Sequence, residues 1–300
     1  MQLKIDQEQK EIKSHGSYEF PLLISHEALS NFETFSFPWH WHPEIELTYV
    51  TEGDISYQVN ETVWHLSAGE GLFCNTNVLH SGHRLTQPDC RYLSVTFHPR
   101  LLYGYSSSVM QHKYVNPVLK NGALSSVHFT RDTGWMRRVL DEMERILQLD
   151  ATRPDSMELQ LQISILTIWQ QIYEHVEHQQ ESIHNDKDTE RIRKIIEFIQ
   201  LHYMDNITLE MLAGEVHLCK SESCRMFKRY MSETMFDYLN RYRIERSLEL
   251  LRNRSLSVTQ VAEQVGFASP GYFTRIFRER MGVTPLAYRK QFLRDGIRQA

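Results

Sequence analysis

The stretch SVTQVAEQVGFASPGYFTRIFRERMGVTPLAYR, residues 257–289, decides the fold. Ser257 is a good helix N-cap, and Gln260 three places later completes a capping box. A short helix follows. Gly266 sits in the turn after it, where a positive φ costs glycine little. A second helix is expected over about 269–280, and Thr284 followed by Pro285 is another N-cap with proline in the first turn.

Residues 209–238, LEMLAGEVHLCKSESCRMFKRYMSETMFDY, repeat this plan after the N-cap Thr208. Ala213 matches Ala262, Val216 matches Val265 and Leu218 matches Phe267. Past a one-residue difference in the turn, Phe227 matches Phe277, Met231 matches Met281 and Tyr238 matches Tyr288. Each copy is a short helix, a tight turn and a second helix carrying basic residues. That is the helix-turn-helix plan, whose second helix enters the major groove of DNA. A single copy could equally be a helical domain with its charges facing water; two tandem copies in a basic segment favour DNA.

The first reading helix, about 220–231, offers Lys220, Ser221, Glu222, Arg225, Lys228 and Arg229, and the second offers Ser269, Arg275, Arg278 and Arg280. Arginine can pair bidentately with guanine, whereas serine and lysine more often hold phosphates. Between the copies MFDYLNRYRIERSLELLRN (235–253) reads as one helix about 28 Å long. A stiff rod of that length would let both motifs (208–231 and 257–281) use one side of a duplex.

Charge agrees. The chain has a net charge of −5, but residues 186–300 hold 20 Lys and Arg against 15 Asp and Glu, leaving an acidic remainder of 13 against 23. A basic tail on an acidic body suggests a polyanionic partner. Three hundred residues imply more than one domain. The amino terminus has no hydrophobic region of a secretion signal, and no apolar run approaches the roughly 18 residues of a membrane span. Cys74, Cys90, Cys219 and Cys224 form no CxxC pair. The expectation is a cytoplasmic protein with reduced thiols and no membrane partner.

Upstream, IELTYV, ISYQV, VWHL, GLFC and YLSVTF are short β-branched or aromatic runs separated by EGD, NET and AGEG. They predict a sandwich or small barrel. From about 131 the period becomes helical, with Trp135, Val139, Met143, Ile146 and Leu147 on one face. A second helix over about 156–176 carries two apolar stripes, Leu159, Ile163, Leu166 and Tyr173 on one side and Leu161, Ile165, Ile168 and Ile172 on the other. Such a helix must be covered on both sides, either inside its own chain or by a second copy. The fold class is therefore multidomain α+β: a barrel over 1–105, a helical dimerisation segment over 106–178, a linker over 179–188, and an all-α DNA-binding domain over 189–300.

These residues resemble the DNA-binding domain of the AraC-type transcription regulators. The likeness is strongest at 257–289, extends through YRIERSLELL (242–251), which is similar to the linker helix of that family, and covers roughly the last 110 residues. In the first copy Ser223 stands where Phe273 matches it, and Ser232 where Gly282 does, so SESCRMFK is similar to a variant form. The amino-terminal strands resemble the cupins: His40, His42, Glu46 and Gly53 follow the spacing of the first cupin motif, while Gly69 and His80 fit the looser second. The resemblance implies an effector domain that senses a small molecule, often a sugar. It also implies a regulator that usually activates, with RNA polymerase then a partner.

HWHPEIE (40–46) remains open to three readings. Placed on one strand, His40, His42 and Glu46 would face one way, with His80 reaching in from another. They could line an effector pocket, hold a divalent metal such as zinc, iron, nickel or manganese, or simply pack. Trp39, Trp41 and Trp64 could stack on a sugar ring or be barrel packing. The expected function is a homodimeric transcription factor that binds specific double-stranded DNA in response to a small-molecule effector, with no cofactor required and a barrel metal as an option. The rivals are a metalloenzyme tethered to DNA and a nucleoid protein without sequence preference.

Overall fold

The computed structural model describes residues 3, 5, 9–85, 89–176, 186–231, 233–253 and 255–290. Residues 179–185 of the expected linker, Ser232 and the last ten residues of the expected DNA-binding domain lie outside them. The chain divides into two compact units, Met1–Thr189 and Glu190–Ala300.

In the first unit eight strands follow in order: β1 (Leu22–Ala28), β2 (Ser36–His40), β3 (Ile45–Glu52), β4 (Asp54–Val59), β5 (Thr62–Ser67), β6 (Gly71–Cys74), β7 (His80–Arg84) and β8 (Arg91–Phe97). Two short helices come next, α1 (Arg100–Tyr103) and α2 (Asn116–Leu119), separated by a π-helical turn at Met110–Val115. Strand β9 (Ser126–Phe129) precedes two long helices, α3 (Gly134–Thr152) and α4 (Met157–Val176). The strands make two antiparallel sheets, one in the order β1-β8-β3-β6-β9 and one in the order β2-β7-β4-β5.

Alternation along β3 and β8 separates two cores. Ile45, Leu47, Tyr49, Leu93, Val95 and Phe97 pack with Val139, Leu140, Met143 and Ile146 of α3 and with Leu161, Ile165, Ile168 and Ile172 of α4. Val50, Tyr92, Leu72 and Cys74 pack with Ile55, Tyr57, Val59 and Leu66 of the smaller sheet. The five-stranded sheet thus has helices on one face and the second sheet on the other. Trp64 of β5 donates from Nε1 to the Ser126 hydroxyl of β9 at 2.9 Å, joining the free edges of the two sheets.

Two expectations need correction. Residues 126–129 lie in the stretch read as helical, yet form a strand paired with β6. Four residues are too few to show a period, and only the free edge of β6 makes them extended. Nor do His40, His42 and Glu46 share a strand: β2 ends at His40 and β3 begins at Ile45. Pro43 has no N–H to give to a ladder and breaks the run between them.

The second unit is helical among its described residues: α5 (Asp186–His202), α6 (Leu209–Glu215), α7 (Lys220–Met231), α8 (Met235–Arg252), α9 (Val258–Gln264) and α10 (Pro270–Met281), with 285–290 helical again. Helix α5 starts at Asp186, inside the stretch expected to be linker. The caps are as expected, since the Thr208 side chain accepts from the Met211 amide and Ser257 and Gln260 form a reciprocal box. A further box, Thr234 with Asp237, starts α8.

The paired positions Ala213 and Ala262, Val216 and Val265, and Phe227 and Phe277 are all buried. In the turns, Gly266 has φ +83° and its counterpart His217 has φ +54°. The first copy therefore holds a left-handed residue without glycine, at a cost of roughly 1–2 kcal/mol.

Candidate functional site

The first unit contains a cavity of about 280 Å³. Its wall includes Phe37 and His40 of β2, Glu46 of β3, Tyr57 of β4, and Tyr92, Ser94 and Thr96 of β8. The inner positions of β8 are polar in an otherwise apolar strand, a signal that YLSVTF already carries. Glu11, Ile12, Lys13 and His15 close the cavity from a segment whose sequence shows no period. That segment is tied down. The Glu11 amide donates to the Trp41 carbonyl at 2.9 Å, and the Trp41 amide to Gln9 at 3.0 Å. His15, itself buried, sits 2.9 Å from the Glu11 carboxylate and 3.2 Å from that of Glu44. Burial opposes its protonation, but the two carboxylates outweigh burial and raise it to about 9.

His40, His42, Glu46 and His80 come together although they leave from β2, the β2–β3 loop, β3 and β7. Each is buried, and one donor atom from each lies within 4.8 Å of the others, a set able to hold a metal ion. The Nδ1 atoms of His40, His42 and His80 lie 3.0, 3.2 and 3.0 Å from the carbonyls of Pro38, Glu44 and Val78. Glu46 Oε1 accepts from the hydroxyls of Thr48 and Ser94, both at 3.1 Å, and of Tyr57 at 3.3 Å. Its Oε2 is 3.1 Å from His42 Nε2 and 3.6 Å from His80 Nε2. Burial works against the carboxylate charge, but these histidines prevail and hold Glu46 well below the usual carboxylate range.

The tryptophans are not in the cavity wall. Trp39 is buried, Trp41 carries the backbone contacts to the amino-terminal segment with Lys10 over its ring, and Trp64 joins the sheet edges. Of the four converging residues, only His40 and Glu46 reach the cavity surface.

In the second unit Ser221, Arg225 and Lys228 fall on one exposed stripe of α7, at i, i+4 and i+7. Arg275 and Arg278 occupy the equivalent stripe of α10 and are exposed. Lys220 is paired with Glu210, and Glu222 lies in the first turn of α7. Arg275 makes a long ion pair with Glu279 at 3.5 Å. Ser269 caps α10, its hydroxyl accepting from the Tyr272 amide at 3.2 Å. Arg280 is a different kind of residue: it donates to the Asp237 carbonyl at 3.0 Å and ties α10 to α8. Ser223 is buried, its hydroxyl satisfied by the Lys220 carbonyl at 3.0 Å, in the place that Phe273 fills in the second copy.

Comparison with known proteins matches residues 28–166 to the AraC-like ligand binding domain and residues 212–291 to a helix-turn-helix domain. The chain is 30% identical to the uncharacterized HTH-type transcriptional regulator YdeC of Bacillus subtilis, over 95% of this chain and 97% of that protein. It is 24% identical to the melibiose operon regulatory protein of Escherichia coli, over 84% of this chain and 83% of that one. Among solved structures it resembles ToxT of Vibrio cholerae at 14% identity and a TM-score of 0.41, covering 92% of this chain and 98% of that one. No helix among the described residues is long and apolar enough to cross a membrane.

Proposed function

The chain belongs to the AraC-type family of transcription regulators, DNA-binding proteins and not enzymes, and from that premise we propose that it is a dimeric regulator whose operator binding responds to a small molecule held in the 280 Å³ cavity. The observation that carries this reading is the cavity itself. Most of its wall lies within the region that matches a ligand-binding domain, and hydroxyls, phenols and the carboxylates of Glu11, Glu27 and Glu46 line it beside the apolar Ile12, Phe32 and Phe37. Such a wall suits a hydroxylated compound, and the relative that regulates a melibiose operon supports a carbohydrate. Activation, with RNA polymerase as the partner, is the expectation carried over from the family resemblance.

Ser221, Arg225 and Lys228 of α7 and Arg275 and Arg278 of α10 form the reading surface, with Lys220, Glu222 and Ser269 at the helix starts beside it. Dimerisation is assigned to α4. Its inner stripe is buried, whereas Leu159 and Ile163 on the outer stripe are 63% and 47% exposed. The occupant is a second copy, which would bring two more reading helices to a longer operator.

An effector shifts the balance between two arrangements only through a difference in affinity for them. Selection of bound sequences from random duplex DNA, with and without a sugar library, tests the whole reading. A preferred sequence whose recovery changes with one sugar is expected. Recovery of no sequence above bulk competitor would defeat it.

A further inference from the structure

We propose that the effector carries a protonated amino group beside its hydroxyls, as an amino sugar does, and that Glu27 of β1 receives it. That assignment rests on the cavity being the effector site. Glu27 stands directly opposite Tyr92 of β8 in the antiparallel register, and Ser25 stands opposite Ser94. Residues paired in this way, and residues two apart on one strand, share a face. Tyr92 and Ser94 line the cavity, so Glu27 and Ser25 point the same way, opposite to Leu22 and Ile24, which meet the helix-side core.

An inward carboxylate on a half-buried strand is costly unless a cation or donors meet it. Of the carboxylates on this wall, Glu11 holds His15, and Glu46 is surrounded by Thr48, Tyr57, Ser94 and His42. Glu27 has no such company. Its ion pair with Lys13 is long, at 3.8 Å, and that ammonium donates to Ser25 Oγ at 3.0 Å. Burial and the neighbouring carboxylates raise the Glu27 carboxyl above its ordinary value, against the pull of Lys13.

The cations of the wall leave little for an anion. His15 has both ring nitrogens against carboxylates, Glu11 at 2.9 Å and Glu44 at 3.2 Å, so it has no donor to give a ligand. An acid placed against Lys13 would also meet Glu11, Glu27 and Glu46 on the same wall. An ammonium meets the reverse. It finds a carboxylate without a short pair and, beside it, the rings of Tyr92, Phe37 and Phe32, whose centroids follow one another at 6.2 and 6.3 Å. A carboxylate with aromatic faces is the chemistry that recognises an ammonium. The Tyr92 phenol and the hydroxyls of Ser94 and Thr96 are there for the hydroxyl groups of the same molecule.

Calorimetric titration of the full-length protein with glucose, glucosamine, N-acetylglucosamine and glucuronate, and with the same four forms of galactose, tests the charge. The amine of one series should bind, and its neutral N-acetyl counterpart should bind about 10-fold or more weakly by comparison. Glu27→Gln, which keeps the shape, should weaken the amine by a similar factor and leave the N-acetyl form as it was. Glu52→Gln, at the exposed end of β3, should change neither. Tightest binding by a neutral or acid form, an amine affinity that survives Glu27→Gln, or an equal loss in Glu52→Gln overturns the inference and leaves the cavity reading intact. If no form in either series binds, the carbohydrate reading of the cavity fails and the amine with it.

Discussion

Gly266 lies so close to the carbonyl of Tyr203 that a Cβ built on it would stand 2.4 Å from that oxygen. Its φ of +83° adds a second reason for glycine. The turn of the second motif is thus packed onto the chain just beyond α5. Gly266→Ala combines a left-handed alanine with a backbone clash and should lower the stability of the carboxy-terminal unit by about 1–3 kcal/mol. Thermal unfolding of residues 186–300 measures it; an unchanged midpoint would contradict the packing.

Arg243 reaches the same carbonyl. Its Nε donates to Tyr203 at 2.7 Å, its Nη2 to the Asp205 carbonyl at 2.8 Å, and its guanidinium lies 5.6 Å from the centre of the Phe267 ring. One buried side chain of α8 therefore joins the end of α5 to the turn of the second motif. Arg243→Met should cost about 3 kcal/mol, because two carbonyls lose charged donors. Arg243→Lys should restore little, since a single ammonium lacks the fork that reaches both. Equal denaturation midpoints for Arg243→Met and the native chain would count against this.

Position decides what the basic residues do. Arg225→Ala and Arg275→Ala remove exposed guanidinium groups and should weaken specific operator binding by about 1–3 kcal/mol where the contact is bidentate to a base. Lys228→Ala should weaken all sequences alike and lower the salt dependence by about one ion. Arg280→Ala should act on stability, through its bond to Asp237. Gel-shift titrations at two salt concentrations separate the three outcomes, and full affinity in both arginine variants would remove them from the reading surface.

The outer stripe of α4 gives a test of assembly. The double change Leu159→Glu and Ile163→Glu leaves the buried stripe in place and puts two charges on the exposed one. Light scattering should show the native chain as a dimer and the variant as a monomer with an unchanged circular dichroism spectrum. A native chain that is monomeric at micromolar concentration would exclude α4 as the interface.

The helical half was legible because its signals are local. Caps, a turn glycine and a repeat of apolar residues are written in neighbouring positions, and Thr208, Ser257 and Gly266 do what their types suggest. The barrel was legible only in outline. Ser126–Phe129 become a strand through a distant partner, and Pro43 divides the histidine run in a way that period-two reading overlooks. The convergence of His40, His42, Glu46 and His80 survives that division, because the β2–β3 loop folds back where a straight strand would have pointed them apart along its length. Glu11 and His15 had no sequence signal at all: their place over the cavity comes from backbone bonds with Trp41 and contacts with Glu44.

Strand β3 is one residue thick between two environments. Glu46 lines the cavity and Thr48 donates to its carboxylate, while Ile45, Leu47 and Tyr49 rest against the helices, where the Tyr49 hydroxyl donates to Glu144 of α3 at 2.7 Å. A pleated strand cannot turn one side chain without tilting the next, and a close-packed interior resists small adjustments. Whatever tightens its grip on Glu46 therefore presses on the floor beneath α3 and α4. The proposed subunit contact lies on the far side of α4, so occupancy of the barrel and the pairing of two chains share a single thin partition.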